Sequence, residues 1–87
     1  MNELSGRVAL VTGSSSGIGE QVARRLSGLG ASVAVNSATS VEAGEAVAAS
    51  LDSPSAYIRA DIGIQDEAES LVDETVTRFG RLDIVVN

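Results

Sequence analysis

Near its start the chain reads Val8-Ala9-Leu10-Val11-Thr12-Gly13-Ser14-Ser15-Ser16-Gly17-Ile18-Gly19. The first four residues are an unbroken apolar run, which is typical of a strand covered on both faces of a parallel sheet. Three glycines follow, where the backbone can turn sharply or approach another group closely. A helix that begins at Gly17 presents unpartnered N–H groups and the positive end of its dipole to this turn. The stretch therefore predicts a strand, a turn and a helix N-terminus that together favour phosphate binding.

The residues predicted to form this phosphate seat are those of the turn and of the first helical turn, with the three serines as hydroxyl donors: Gly13, Ser14, Ser15, Ser16, Gly17, Ile18 and Gly19. Their spacing is Gly-x-x-x-Gly-x-Gly, which differs from the common dinucleotide fingerprint Gly-x-Gly-x-x-Gly. A Walker loop is excluded, because it requires a lysine and the chain contains none.

Composition narrows the class of protein. The 87 residues are enough for one small domain, and 44% hydrophobic content with only two aromatic side chains predicts an aliphatic core. A net charge of −6 argues against a nucleic-acid-binding surface. The absence of cysteine and histidine argues against a metal site. We expect no membrane segment and a cytoplasmic location, since no apolar run has transmembrane length and no signal-peptide pattern is present.

Apolar runs alternate with helical patterns along the rest of the chain. Strands are predicted over 7–12, 31–35, 56–60 and 82–86, and helices over 17–29, 41–51 and 65–79. Apolar stripes expected to face the sheet are Ile18, Val22, Leu26 and Leu29 in the first helix and Ala68, Leu71, Val72, Thr75, Val76 and Phe79 in the third. This βαβαβαβ alternation predicts an α/β fold over 1–87, the first half of a Rossmann-type doubly wound parallel sheet with strand order 3-2-1-4.

The segment Thr-Gly-x-x-x-Gly-Ile-Gly directly after Val-Ala-Leu-Val resembles the short-chain dehydrogenase/reductase family, and is most similar to its 3-oxoacyl-[acyl-carrier-protein] reductases. The resemblance covers the whole chain and about the opening third of the family's usual length. It implies the N-terminal, NAD(P)-binding part of a longer single-domain oxidoreductase. Such an enzyme transfers a hydride between the nicotinamide and a carbonyl or alcohol, and the resemblance implies a 3-oxoacyl thioester as substrate. It also implies a homo-oligomer.

The resemblance assigns no catalytic residue to this chain. The family's Tyr-x-x-x-Lys pair is absent from the 87 residues, which are therefore predicted to be inactive on their own. It does imply further cofactor contacts. Asp61 and Ile62, after the third strand, are expected beside the adenine ring, and Asn87 looks like the start of the family's Asn-Asn-Ala-Gly segment, which lines the cofactor pocket.

The loop after the second strand predicts the choice of cofactor. A carboxylate there selects NAD and an arginine selects NADP. The segment 36–40 contains neither, and Ser37 and Ala38 are the residues expected nearest the ribose. Ser37, Thr39 or Ser40 offers a hydroxyl to a phosphate, although Thr39 and Ser40 also suit a helix cap. NADP is favoured over NAD, yet Ser16 and Ala38 occupy positions where NADP-preferring relatives commonly carry a basic residue.

Two other functions compete with the oxidoreductase. One is a stand-alone dinucleotide-binding or structural module without turnover. The other is a methyltransferase that uses S-adenosylmethionine, which is disfavoured because the second strand does not end in an acidic residue. The apolar fourth strand would be an unpaired edge in the 87 residues alone, and this predicts association with another chain.

Overall fold

A computed structural model describes residues 3–87. Its elements are β1 (Val8–Val11), α1 (Gly17–Gly28), β2 (Ser32–Ser37), α2 (Val41–Ser50), β3 (Ser55–Arg59), α3 (Gln65–Phe79) and β4 (Ile84–Val86). The four strands form one parallel sheet in the order β3-β2-β1-β4, so the predicted fold class and strand order are confirmed. Within the described part of the chain, no helix is long and apolar enough to cross a bilayer.

The sheet separates two hydrophobic clusters, because successive side chains of a strand point to opposite faces. One cluster joins strand residues such as Val11, Val33 and Val35 to α1 and α2. The other joins Leu10 and Ala34 to β3 and α3. The helices divide between the two faces because the strand order reverses between β3 and β4 while the crossovers keep one hand. That reversal creates the switch point beside β1.

The order of strands also sets where the loops gather. In the parallel ladders, Val8 is opposite Ser32, Val33 is opposite Ser55 and Ala9 is opposite Ile84. All four strands therefore end at one edge of the sheet, which we call the carboxyl edge. The glycine-rich turn, the residues after β2, the residues after β3 and Asn87 all lie at this edge. The amino edge holds the other loops.

The structure corrects several details of the predicted helices and strands. Strand β2 continues to Ser37, so Asn36 and Ser37 are strand residues rather than loop residues. The apolar stripe of α1 is shorter than predicted: Val22 and Leu26 pack on the core, but Ile18 is 84% exposed.

The stripe of α3 is also narrower than predicted. Leu71 and Thr75 are buried against the sheet, whereas Val72 and Val76 are 40% and 41% exposed. Only the residues one turn apart along the inner side of the helix reach the strands. Among residues 3–87, no element covers the outer side of α3.

Candidate functional site at the carboxyl edge

The glycines of the turn after β1 satisfy two different steric demands. Gly13 and Gly17 have φ values of +59° and +60°, in the left-handed region that disfavours side chains. Gly19 has an ordinary φ, but a Cβ atom there would overlap the carbonyl oxygen of Gly13. The first turn of α1 therefore packs directly on the backbone of the preceding turn. Open space lies where Cβ atoms of Gly13 and Gly17 would be, so the turn presents bare backbone to solvent.

Helix α1 begins without a side-chain cap. Ser16 is the N-cap residue, with extended backbone, and its hydroxyl makes no capping hydrogen bond. Its carbonyl oxygen accepts the N–H of Glu20 at 3.2 Å, which starts the helical ladder. The N–H groups of the first turn thus keep their capacity to bind an anion. Ser16, Gly17 and Ile18 are exposed beside them, and Ser15 is half-buried.

Ser14 has a different role from the predicted one. Its side chain is fully buried, and its hydroxyl donates to the carbonyl oxygen of Val11 at 2.7 Å. The same hydroxyl oxygen accepts the N–H of Asn36 at 3.0 Å. The prediction that the Ser14 hydroxyl donates to a ligand is therefore wrong, since its hydrogen is already used. Ser14 instead ties the turn to strand β2.

Asn36 is the residue that the sequence did not single out. Its side chain is 2% exposed and joins the ends of three strands. The amide nitrogen donates to the carbonyl oxygens of Ile58 and Ala60, both at 3.1 Å, and the amide oxygen accepts the N–H of Gly13 at 3.3 Å. The signal available in the sequence was an asparagine at the end of an apolar strand, where a buried amide needs several partners.

The residues after β2 are only partly available to a ligand. The Ser37 hydroxyl is buried and lies 2.6 Å from the Tyr57 hydroxyl, which contradicts its predicted role as an open phosphate donor. Ala38 is half-buried, while Thr39 and Ser40 are exposed. Of the two residues predicted to suit a helix cap, Ser40 is the N-cap residue of α2, but its side chain makes no capping hydrogen bond.

A small polar network surrounds the end of β3. The Asp61 carboxylate accepts the N–H of Gly63 at 2.9 Å, and the Asp61 N–H donates to Glu67 at 2.9 Å. Glu67 also accepts from Arg59, whose Nε donates to the Ala38 carbonyl oxygen at 2.8 Å. Asp61 is half-buried and the neighbouring Ile62 is 45% exposed. The loops after β2 and β3 are thereby held together.

Asn87 lies directly beside the end of β1. Its side-chain oxygen accepts the hydroxyl of Thr12 at 2.9 Å, and the Thr12 N–H donates to the Val86 carbonyl oxygen at 3.0 Å. Both Asn87 and the glycine-rich turn therefore border the switch point between β1 and β4. Thr12 begins the segment Thr-Gly-x-x-x-Gly-Ile-Gly, but the sequence did not indicate its hydrogen bond to Asn87.

The amino edge carries a separate ionic cluster. Asp83 accepts from the Val8 N–H at 2.9 Å and from Arg81 at 2.8 and 2.9 Å. The hydrogen bond from Arg81, followed by that from Val8, lowers the pKa of Asp83 below its ordinary value of 3.8. This cluster lies at the opposite end of β1 from the glycine-rich turn and has a structural role.

The carboxyl edge is suited to binding rather than to bond cleavage. It combines uncapped backbone N–H groups, open glycine surface, hydroxyls and the carboxylates of Asp61 and Glu67. Over residues 3–87, no group of three or more acidic side chains is arranged to hold a metal ion. The arrangement fits an elongated anionic ligand that runs across the switch point, with its phosphate at the start of α1.

Comparison with known proteins agrees with this geometry. A model of the short chain dehydrogenase family matches residues 7–87. A protein of Streptomyces violaceoruber, named as ketoacyl reductase 2 of the granaticin polyketide synthase, is 58% identical over 81 residues, which are 92% of this chain and 32% of that protein. The 2,5-dichloro-2,5-cyclohexadiene-1,4-diol dehydrogenase of Sphingobium indicum is 42% identical over 87 residues, all of this chain and 34% of that protein.

Two solved structures superimpose on nearly the whole of this chain. A short chain dehydrogenase from Burkholderia cenocepacia in complex with NADP superimposes with a TM-score of 0.95 at 40% identity, over 99% of this chain and 36% of that one. A dehydrogenase/reductase from Sinorhizobium meliloti gives 0.95 at 39% identity, over 98% and 35%. The chain thus spans about a third of the length of the relatives it matches. With the family model matched over nearly all of its length, the chain belongs to the short-chain dehydrogenase family.

Proposed function

We propose that residues 1–87 are the NAD(P)-binding half-domain of an oxidoreductase that transfers a hydride between the nicotinamide and a carbonyl or alcohol substrate. The observation that carries this proposal is the uncapped start of α1 beside bare glycine backbone, in a chain of this family. When bound, the cofactor supplies or accepts the hydride. This chain's own residues bind and orient it.

The residues proposed to hold the cofactor follow the carboxyl edge in order. The N–H groups of Gly17, Ile18 and Gly19, with the hydroxyls of Ser15 and Ser16, face the pyrophosphate. Gly13 and Ser14 shape this seat through backbone contacts, with Ser14 linked to Asn36. The backbone at Ser37 and Ala38 borders the adenosine ribose, Asp61 and Ile62 border the adenine, and Asn87 lines the pocket at the switch point.

We favour NADP over NAD as the cofactor. Residues 36–40 contain no carboxylate to repel a 2′-phosphate. The protein from Burkholderia cenocepacia that superimposes on this chain was crystallised with NADP. A 3-oxoacyl thioester is the favoured substrate class, because a relative with 58% identity is named as a ketoacyl reductase.

The test is made on the protein at the full length encoded by its gene. Binding of NADPH, NADH and S-adenosylmethionine is followed by fluorescence or calorimetry, and oxidation of NADPH is then followed with a 3-oxoacyl thioester. We expect tight binding of NADPH and turnover of the thioester. Binding of S-adenosylmethionine alone would contradict the proposal, and NADPH binding without turnover of any carbonyl would favour the stand-alone binding module. Residues 1–87 alone should bind cofactor without turnover, since they lack Tyr-x-x-x-Lys.

Self-association is also proposed. Strand β4 pairs only with β1 among residues 3–87, and Val85 on it is 57% exposed. The outer side of α3 adds the exposed Val72 and Val76, and Val72 lines a shallow depression of about 550 Å³. Exposed apolar edges favour pairing with another chain. Light scattering of residues 1–87 at micromolar concentration should reveal association that Val85→Lys reduces, and a clean monomer would contradict it.

A further inference from the structure

The arginines of this chain are unevenly distributed about the sheet. Arg7 and Arg81 pair with Asp83 at the amino edge, Arg24 pairs with Glu20 on α1, and Arg78 pairs with Glu74 near the end of α3. Among residues 3–87, Arg59 is the one arginine at the end of a strand. It therefore brings a permanent positive charge to the carboxyl edge, in a chain whose net charge is −6.

The contacts of Arg59 orient its guanidinium towards the loop after β2. Nε donates to the carbonyl oxygen of Ala38 at 2.8 Å, and Nη1 donates to Glu67 at 2.7 Å. These bonds use two of the five N–H groups of the side chain. The side chain is 49% exposed and is anchored at Ala38, so it remains accessible to a ligand at this loop. A planar fork fixed in this way matches the oxygens of a phosphate.

We propose that Arg59 selects NADP by binding the 2′-phosphate of its adenosine ribose, an inference that rests on the proposed function. In dinucleotide-binding folds the loop after the second strand borders this ribose, and a nearby arginine accommodates the 2′-phosphate. Neither Ser16 nor the segment 36–40 supplies a cation. Here the cation is Arg59 at the end of β3, and its hydrogen bond to the Ala38 carbonyl oxygen holds the guanidinium beside the loop.

Glu67 limits the strength of this selection without abolishing it. Its carboxylate holds the guanidinium and also accepts the Asp61 N–H at 2.9 Å. Both partners of the ion pair are partly exposed, at 49% and 32%, so solvent screens their attraction. A doubly charged 2′-phosphate therefore still attracts the guanidinium and binds the N–H groups that Glu67 does not occupy. Removal of the Glu67 charge should strengthen the binding of the 2′-phosphate.

The test measures the adenosine side of the site alone. Adenosine 2′,5′-bisphosphate and adenosine 5′-monophosphate are titrated calorimetrically into the full-length protein, because these probes differ only in the 2′-phosphate. For Arg59→Ala we expect roughly tenfold or greater loss of affinity for the bisphosphate, as for a lost charge-assisted hydrogen bond, and less than about twofold change for the monophosphate. Arg78→Ala is the matched control: it also removes a 49%-exposed, ion-paired arginine, but far from this loop.

A second variant moves the affinity in the opposite direction. Glu67→Gln keeps an oxygen acceptor for Asp61 and Arg59 but removes the competing charge, and we expect roughly two- to fivefold tighter binding of the bisphosphate. Equal losses for both probes in Arg59→Ala, an unchanged bisphosphate affinity, or an equal effect of Arg78→Ala would overturn the inference. So would wild-type protein that binds both probes equally. Failure of the wild type to bind either probe, or NADPH, would instead reject the proposed function itself.

Discussion

Gly19 packs against Gly13 so closely that a Cβ atom on Gly19 would overlap the Gly13 carbonyl oxygen. The obstacle is backbone, which cannot rotate away as a side chain can. We expect Gly19→Ala to lower the free energy of unfolding by about 1–3 kcal/mol, the usual cost of overpacking. Cofactor affinity should fall as well, because the shift moves the start of α1. Urea denaturation and NADPH fluorescence titration measure the two effects.

Gly28 provides a matched control in the same helix. It is the last residue of α1, and nothing lies within 4 Å of the position of its Cβ. Gly28→Ala should leave cofactor binding unchanged and leave stability unchanged or increase it by up to about 1 kcal/mol. If Gly19→Ala is as stable as Gly28→Ala, the close packing of the turn is not a constraint.

Asn36 should be sensitive to replacement by an acid of the same shape. In Asn36→Asp a carboxylate oxygen would face the carbonyl oxygens of Ile58 and Ala60, which now accept the amide hydrogens. The charged form is disfavoured there, so the folded-state pKa of the new carboxyl rises above its unfolded value of about 4. The variant should be least stable at neutral pH and should recover as falling pH protonates the carboxyl. Thermal denaturation at pH 4.5 and 7.5 measures the change.

Asn36→Leu separates this charge effect from loss of the hydrogen bonds. Leucine leaves the Gly13 N–H and the carbonyl oxygens of Ile58 and Ala60 without their partner. We expect a loss of about 1–3 kcal/mol per unsatisfied buried group, with little dependence on pH between 4.5 and 7.5. Equal pH profiles for the leucine and aspartate variants would show that the two carbonyl oxygens do not repel the carboxylate.

The same asparagine explains what the sequence could and could not predict. Strand order follows from the alternation of apolar runs and helical patterns, since few topologies satisfy short right-handed connections. The glycine-rich turn follows from local backbone demands. By contrast, the partners of Asn36, Ser14 and Arg59 lie between 3 and 24 positions away, mostly at or just beyond the ends of other strands. Their roles depend on register, and the extension of β2 by two residues turned Ser37, a predicted loop donor, into a buried strand residue.

Gly44, in helix α2, packs against a side chain of strand β3. A Cβ atom on Gly44 would overlap the ring of Tyr57, on β3. The ring is held in place by the bond between the Tyr57 and Ser37 hydroxyls. We therefore expect Gly44→Ala to destabilise the fold by about 1–3 kcal/mol, although alanine is the better helix former. Urea denaturation measures the loss as a lower midpoint with an unchanged m value.

A double-mutant cycle tests whether Tyr57 is the cause. Tyr57→Leu removes the ring, so Gly44→Ala should then cost about 1 kcal/mol less than in the wild type, or even stabilise the helix. Gly28→Ala serves again as the comparison, because it is a helix glycine without a neighbour at the Cβ position. A cost at position 44 that persists in the Tyr57→Leu background would locate the obstacle elsewhere.

Asp83 makes the stability of the folded protein depend on pH. Its pKa is lowered in the folded protein, chiefly by the hydrogen bond from Arg81, so the folded state favours the charged form. This stabilisation is fully present above the unfolded-state value, near 3.8, and is lost as pH falls through the lower folded-state value. Asp83→Asn should therefore be less stable than the wild type at pH 7, and the difference should shrink below pH 3.8.

Asp73→Asn, on the exposed side of α3, removes the same charge as a control. The carboxyl resonance of Asp83, followed by NMR, should titrate below the ordinary value of 3.8, and Arg81→Gln should raise its pKa; if Arg81→Gln leaves the Asp83 titration unchanged, Arg81 is not the cause.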